Sequence, residues 1–218
     1  MEGDAAETFI AKLNSLLAAI PAATMLNAGI CRNYYKNKNT ITGQPGVTVL
    51  LDGADASENF KGSAALLQVS AADFISNPQL QNEIFGPASM IVKCKNETEL
   101  QQAISSLHGQ LTGTVFAAND DIQHFADCIS QLTDKVGRVV YNSVPTGVEV
   151  THAMVHGGPF PATTDARSTS VGSDAINRFV RPICLQDCPE EMLPVELKND
   201  NSLHIMRKVN GVYTNESI

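Results

Sequence analysis

A carboxylate and an aromatic ring stand two residues apart at Glu83 and Phe85, and the bend Gly86-Pro87 follows. A carboxylate accepts two hydrogen bonds side by side, which matches a vicinal diol such as that of a ribose. An aromatic ring next to a bend can brace a planar heterocycle. Taken alone, the stretch Asn82-Glu83-Ile84-Phe85-Gly86-Pro87 reads more readily as a turn glutamate and a core phenylalanine ahead of a strand. His152 and His156 are four apart, a spacing that suits a metal on a helix. Gly157-Gly158-Pro159 follows at once, however, and no carboxylate or thiol has ligand spacing nearby, so packing or hydrogen bonding is expected and no metal is. Arg167 with Ser168-Thr169-Ser170 could hold an anion, but the stretch reads better as a polar loop leading to a helix cap at Asp174. The five cysteines are odd in number and lack any Cys-x-x-Cys pair, so reduced, mostly buried thiols are expected. The glycine-rich phosphate cradles, the Gly-x-Ser-x-Gly elbow and His-Glu-x-x-His are all missing from the sequence.

The elements that must position these residues follow from periodicity. Asp4-x-x-Glu7 has capping-box spacing and opens a helix with Phe9, Leu13, Leu16, Leu17 and Ile20 facing inward, ended by Pro21. Asn27 caps a second helix, and strands are expected at 47–51 and 64–69. From Met90 onward the rhythm is strand, helix, strand, helix, strand, closing with Gly137-Arg-Val-Val-Tyr141. Asn96-x-x-Glu99 caps the first of those helices, and Asn119 or Asp120 the second. Short connections between such elements imply a parallel sheet covered by helices. Residues 142–172 lack periodicity, which in a compact domain marks function or disorder. A short helix at 174–180, a short strand at 182–186 and an Asn210-Gly211 hairpin complete the reading.

The 218 residues carry 15 Lys and Arg against 23 Asp and Glu, a net charge of −8. The basic residues are scattered, which argues against a nucleic-acid partner. No apolar run reaches the ~18 residues of a membrane span, and the first residues lack the pattern of a signal peptide, so a cytoplasmic chain is expected.

With the loop beside it, the opening motif gains meaning. Glu83-Ile84-Phe85-Gly86-Pro87 resembles the Glu-x-Phe-Gly-Pro motif of the aldehyde dehydrogenase superfamily. Arg138-Val-Val-Tyr-Asn142 is similar to that family's strand ending in an Asn that lines the substrate tunnel. The loop has Gly157-Gly158-Pro159-Phe160 where the superfamily usually reads Pro-Phe-Gly-Gly. With Asp165-Ala-Arg-Ser-Thr-Ser-Val-Gly172 and Arg178-Phe-Val-Arg-Pro182, it resembles the branch of NADP-dependent 2,5-dioxovalerate (α-ketoglutaric semialdehyde) dehydrogenases, near an NADP-dependent fatty aldehyde dehydrogenase.

The resemblance implies a three-layer α/β/α fold with an open, mostly parallel sheet and a C-terminal tail hairpin. Residues 1–198 would form a portion of the catalytic domain and 199–218 the tail. It implies oxidation of a small-molecule aldehyde to the acid with NADP or NAD, through attack by a thiolate and hydride transfer to the nicotinamide. Glu83 and Phe85 would contact the cofactor, while Asn142, Thr146 and His156 would line the aldehyde pocket. None of the five cysteines has the family's Gly-Gln-x-Cys context, so the nucleophile, the general base and the nucleotide-binding domain are expected upstream. A chain cut there should be inactive alone and prone to homo-oligomerise. A non-catalytic module that kept the fold, or an unrelated α/β domain, is the competing expectation.

Overall fold

The computed structural model describes residues 2–145, 147 and 151–218. They form two compact units, one ending at Arg178 and the other running Phe179–Ile218. The boundary expected at 198/199 thus falls inside the second unit.

Helix α1 (Asp4–Ala18) has the expected length but not the expected start. Its N-cap is Gly3 with no side-chain cap, and Glu7 instead reaches Lys93, Oε1 to Nζ 2.5 Å. An exposed carboxylate one turn into a helix is drawn to a nearby ammonium more strongly than to a backbone amide. The expected inward stripe is also corrected. Ile10 is the one buried residue of α1, while Phe9, Leu16 and Ile20 are 62%, 54% and 56% exposed. The helical period was read correctly, but burial requires a surface to pack against.

A short β1 (Ala23–Thr24) precedes α2 (Ala28–Thr42), whose cap is Asn27 as expected, its side chain accepting from the Ile30 amide at 2.9 Å. This helix buries Tyr34 and Tyr35. The Tyr34 hydroxyl donates to the Ser63 carbonyl at 2.5 Å. Burial, with the Tyr35 and Asp52 charges adding, pushes its pKa up to about 12. Tyr35 donates to the Lys61 carbonyl and accepts from the Ala56 amide, and buried Lys38 pairs with Asp52. Together these tie α2 to residues 52–63, between β2 (Thr48–Asp52) and β3 (Lys61–Gly62).

The main sheet has the order β2–β4–β5, with β4 (Ala65–Ser70) in the centre, antiparallel to β2 and parallel to β5 (Ala88–Lys93). Leu66, Leu67 and Val69 of β4 are all at or below 2% exposure, so both faces of the strand are covered. That explains why it reads as a continuous apolar run rather than an alternation. A short helix α3 (Ala71–Ser76), capped by Ser70, links β4 to the turn before Asn82 and was not legible in the sequence.

Helix α4 (Glu97–Ser106) carries the expected cap, Asn96 accepting from the Glu99 amide, while the Glu99 carboxylate accepts from the Lys95 amide. Strand β6 (Gln110–Val115) follows. The next helical stretch is broken at Phe125 into α5 (Asn119–His124) and α6 (Ala126–Thr133). Its start is capped in reverse: the Asp121 carboxylate accepts from the Ala118 amide. Strand β7 (Val136–Tyr141) pairs parallel with β6 in a sheet of their own. The α/β class with parallel strands under helices is therefore present, but as two sheets.

The second unit contains no strand at 182–186, correcting that expectation; a lone extended segment without a partner edge forms no ladder. Its hairpin, β8 (Arg207–Val209) and β9 (Val212–Thr214), turns through Asn210 and Gly211, both at positive φ, as the Asn-Gly signal requires. Asn201, 1% exposed, staples this unit by donating to the Ile205 and Asn215 carbonyls. Among the described residues, no helix is long and apolar enough to cross a membrane.

Two outcomes follow. At Gly86 (φ +156°) a Cβ would stand 2.3 Å from the Tyr34 ring. Gly86→Ala should cost roughly 1–3 kcal/mol, read as a lower urea midpoint at unchanged slope. All five cysteines are free, and burial pushes the Cys94 and Cys128 thiols up. Because the thiolate reacts, alkylation of these two should lag behind exposed Cys184 at mildly alkaline pH. The gap should narrow as pH rises and vanish in denaturant, as peptide mass spectrometry would show.

Candidate functional site

Glu83 is positioned by its neighbours rather than by its own contacts. The turn Pro78–Gln81 is stapled to the end of α4: Gln81 donates to the Ser106 carbonyl at 2.9 Å and accepts from the His108 amide at 3.0 Å. On the other side, Ile84 packs against both apolar clusters, the one around Leu67 and the one around Tyr34. Between these anchors Glu83 is exposed, and its carboxylate makes no hydrogen bond or ion pair among the described residues. It lines an open cleft of about 530 Å³ with His108, Gly109, Gln110, Pro161 and Ala162. Phe85 projects from the same turn with its ring 60% exposed, but it does not line this cleft.

The irregular segment is held onto the ends of the β6–β7 sheet by close backbone approach. A Cβ at Gly109 would lie 2.1 Å from the Pro159 carbonyl oxygen, and one at Gly137 would lie 2.0 Å from that of Gly157. Only glycine allows two chains to come this near. Thr169, 5% exposed, clamps the segment to itself. Its hydroxyl accepts from the His156 amide at 2.8 Å and donates to the Val171 carbonyl at 2.7 Å. Ser170 closes on the same place, its amide and its hydroxyl both donating to the His156 carbonyl at 3.0 Å.

The remaining expected positions fall as follows. His156 is half-buried, with its backbone gripped by Thr169 and Ser170. Asn142 sits just past β7 at φ +48°, and its amide both donates to and accepts from the backbone of Ala117 at 2.9 Å. It extends the β6–β7 pairing by one step. Thr146 lies outside the described residues. The Arg167 amide and guanidinium, bonded to Asp165, hold that carboxyl below its usual range. Ser168 also donates to Asp165, so the hydroxyls and the cation of this stretch serve the loop itself. His152 meets Ser173 at 3.3 Å, and the described residues contain no group of three or more metal-ligating side chains. Gln81 and Thr169, the residues that do the positioning, carry no signal in the sequence, because their partners are distant in the chain or backbone atoms.

Glu83 and Phe85 thus stand exposed on one turn, Glu83 on the cleft and Phe85 outside it. The solved structures agree on the fold. A succinic semialdehyde dehydrogenase from Streptococcus pyogenes in complex with NADP+ matches 70% of this chain and 33% of its own, with TM-score 0.54 at 19% identity. A betaine aldehyde dehydrogenase variant from Staphylococcus aureus in complex with NAD+ matches 84% of this chain and 38% of its own, with TM-score 0.60 at 14% identity.

Sequence narrows this further. The chain is 41% identical over 205 residues to the alpha-ketoglutaric semialdehyde dehydrogenase of Acinetobacter baylyi, and 42% identical over 195 residues to alpha-ketoglutaric semialdehyde dehydrogenase 2 of Azospirillum brasilense. These alignments take in 94% and 89% of this chain but 39% and 37% of the relatives, so the chain spans about two fifths of their length. No family model matches the chain. By sequence the chain is thus similar to the two alpha-ketoglutaric semialdehyde dehydrogenases, and by fold to solved aldehyde dehydrogenases.

Thr169→Val should release the loop while preserving its shape. Two backbone amides and a half-buried acceptor lose their partner, a cost of about 1–3 kcal/mol. Faster amide exchange confined to residues near 156 and 171, with a lowered unfolding midpoint, is the expected result.

Proposed function

We propose that this chain is one part of an NAD(P)-dependent aldehyde dehydrogenase that oxidises α-ketoglutaric semialdehyde to the carboxylic acid. The observation that carries the reading is Glu83, an exposed carboxylate with no protein partner among the described residues, held on a stapled turn at the mouth of a polar cleft. Leaving such a group unpaired on a rigid turn is consistent with a ligand that completes it. A carboxylate acceptor with an exposed ring two residues on fits a nicotinamide nucleotide, which when bound supplies the hydride acceptor. Glu83 would accept hydrogen bonds from ribose hydroxyls, and Phe85 would offer its exposed face to the ring. Asn142, Thr146 and His156 are the residues we assign to the aldehyde side. Of these, Asn142 acts by shaping the corner after β7, since its amide is already committed to Ala117.

None of the five cysteines stands in the Gly-Gln-x-Cys context of the family's nucleophile. Cys31, Cys94 and Cys128 are buried, and Cys94 and Cys128 have thiols pushed up rather than down. An activated thiol needs the opposite shift. The thiolate and general base are therefore assigned outside these residues, and the chain alone is read as inactive. The names of the two relatives favour the semialdehyde over a fatty aldehyde. A cytoplasmic homo-oligomer completes the reading, supported by the exposed apolar side chains Phe9, Leu16 and Ile20 of α1.

The test is a chimera in which this chain replaces the matching part of the Acinetobacter relative. It should oxidise α-ketoglutaric semialdehyde with NADP+ or NAD+, while the isolated chain shows no turnover. In the chimera, Glu83→Gln should raise the KM for the nucleotide roughly ten- to a hundredfold, the worth of a hydrogen bond to a charged group, and leave the aldehyde KM nearly unchanged. Turnover by the isolated chain, or an unchanged nucleotide KM, would overturn the proposal.

A further inference from the structure

Asn210 and Gly211 form the loop between β8 and β9, and theirs is the one Asn-Gly pair in the sequence. Both residues are exposed. Val209 pairs with Val212 across the loop, which leaves the Gly211 amide outside the ladder. Neither that amide nor the Asn210 carboxamide has a hydrogen-bond partner among the described residues. A Cβ built at Gly211 would meet nothing within 4 Å, so no group beyond its chain neighbours shields the junction. The turn needs an asparagine here for its positive φ and makes no use of the side chain.

Two other asparagines, Asn142 and Asn201, also have positive φ and also precede a small residue, Ser143 and Ser202. Their carboxamides are in use. That of Asn142 both donates to and accepts from the backbone of Ala117. That of Asn201, 1% exposed, donates to the Ile205 and Asn215 carbonyls and accepts from the Ile205 amide. Three asparagines thus share one backbone conformation, and only at Asn210 are the side-chain carbonyl and the following amide both idle and open to water.

We propose that Asn210 is a site of spontaneous covalent modification with water as the co-reactant: deamidation through a cyclic imide to aspartate and isoaspartate. The Gly211 nitrogen gives up its proton to solvent and attacks the Asn210 side-chain carbonyl carbon. A carbon–nitrogen bond forms, the bond to the side-chain nitrogen breaks, and ammonia leaves carrying a proton from solvent. Water then adds to one of the two imide carbonyls and reopens the ring, so the net change is water in and ammonia out, with nothing oxidised or reduced. Ring closure requires the turn to open, and opening is cheap here. The β8–β9 ladder is three pairs long, and Val212 and Tyr213 are 68% and 71% exposed. The isoaspartate product carries the main chain through the former side chain, one methylene longer, with a new negative charge. The two-residue loop that sets the pairing of Val209 with Val212 is then lost. The inference stands on the hairpin alone and does not depend on the enzymatic reading.

The whole chain, folded and in urea, is incubated at mildly alkaline pH. Peptide mass spectrometry and labelling by an isoaspartate-directed carboxyl methyltransferase then read the products. Asn210 of the folded chain should deamidate within roughly threefold of its rate in urea, whereas Asn201 and Asn142 should react roughly tenfold or more slowly folded than unfolded. Isoaspartate should dominate at 210, and the amides of 209 and 212 should exchange faster in the aged chain. Asn210→Gln should carry no such product at 210 and leave the slow reaction of the other asparagines unchanged. An Asn210 that reacts roughly tenfold or more slowly folded than in urea would overturn the proposal, because the turn would then protect it. So would modification at Asn201 or Asn142 in the folded chain as fast as at Asn210.

Discussion

The path of the chain through residues 82–87 depends on one contact, the backbone of Gly86 laid against the ring of Tyr34. Tyr34 cannot yield. Its ring is fully buried and its hydroxyl is bonded to the Ser63 carbonyl. The neighbouring Tyr35 and Lys38 pin the same helix to the 52–63 loop. With that wall fixed, Ile84 drops into the seam between two apolar clusters, and Glu83 and Phe85 are forced outward on either side of it. A carboxylate and a ring thus become available to a ligand because the residue between them is not.

A second constraint holds the opposite wall. The segment carrying His156 and Pro161 crosses the starts of β6 and β7 at distances that exclude any side chain at Gly109 and Gly137. Thr169 and Ser170 then fasten it from behind through the backbone of His156. An aperiodic stretch becomes a fixed surface through hydrogen bonds and close backbone contact rather than through secondary structure. The cleft beside Glu83 exists because this surface meets the stapled turn at Gln81.

The same unit combines a well-built site wall with an unfinished sheet. Its core concentrates around β4, where both faces are covered, and thins toward β6 and α1, where apolar side chains line an open groove. That asymmetry is what one expects of a portion of a larger fold: strands near the centre find partners within the chain, and those at the discontinuity do not. The span of two fifths of the relatives' length accords with it.

Local chemistry in the sequence determined much of this. Asn27, Asn96 and the Asn210-Gly211 turn act through atoms within a few residues, so their roles were legible at once. The strand–helix rhythm was legible too, and so was the turn at 82–87, although Phe85, which local reading placed in the core, is exposed. Tertiary structure decided what depends on distant surfaces. The inward stripe of α1 found no partner at Phe9, Leu16 and Ile20, since period predicts a face and not what covers it. Residues 182–186 formed no strand because pairing needs an edge that no local signal reports. The side chain of Asn142 turned to Ala117, and Gln81 and Thr169 became the positioning residues. Each owes its role to a hydrogen-bond partner, and for Asn142, Gln81 and the Thr169 clamp on His156 that partner is brought near only by folding.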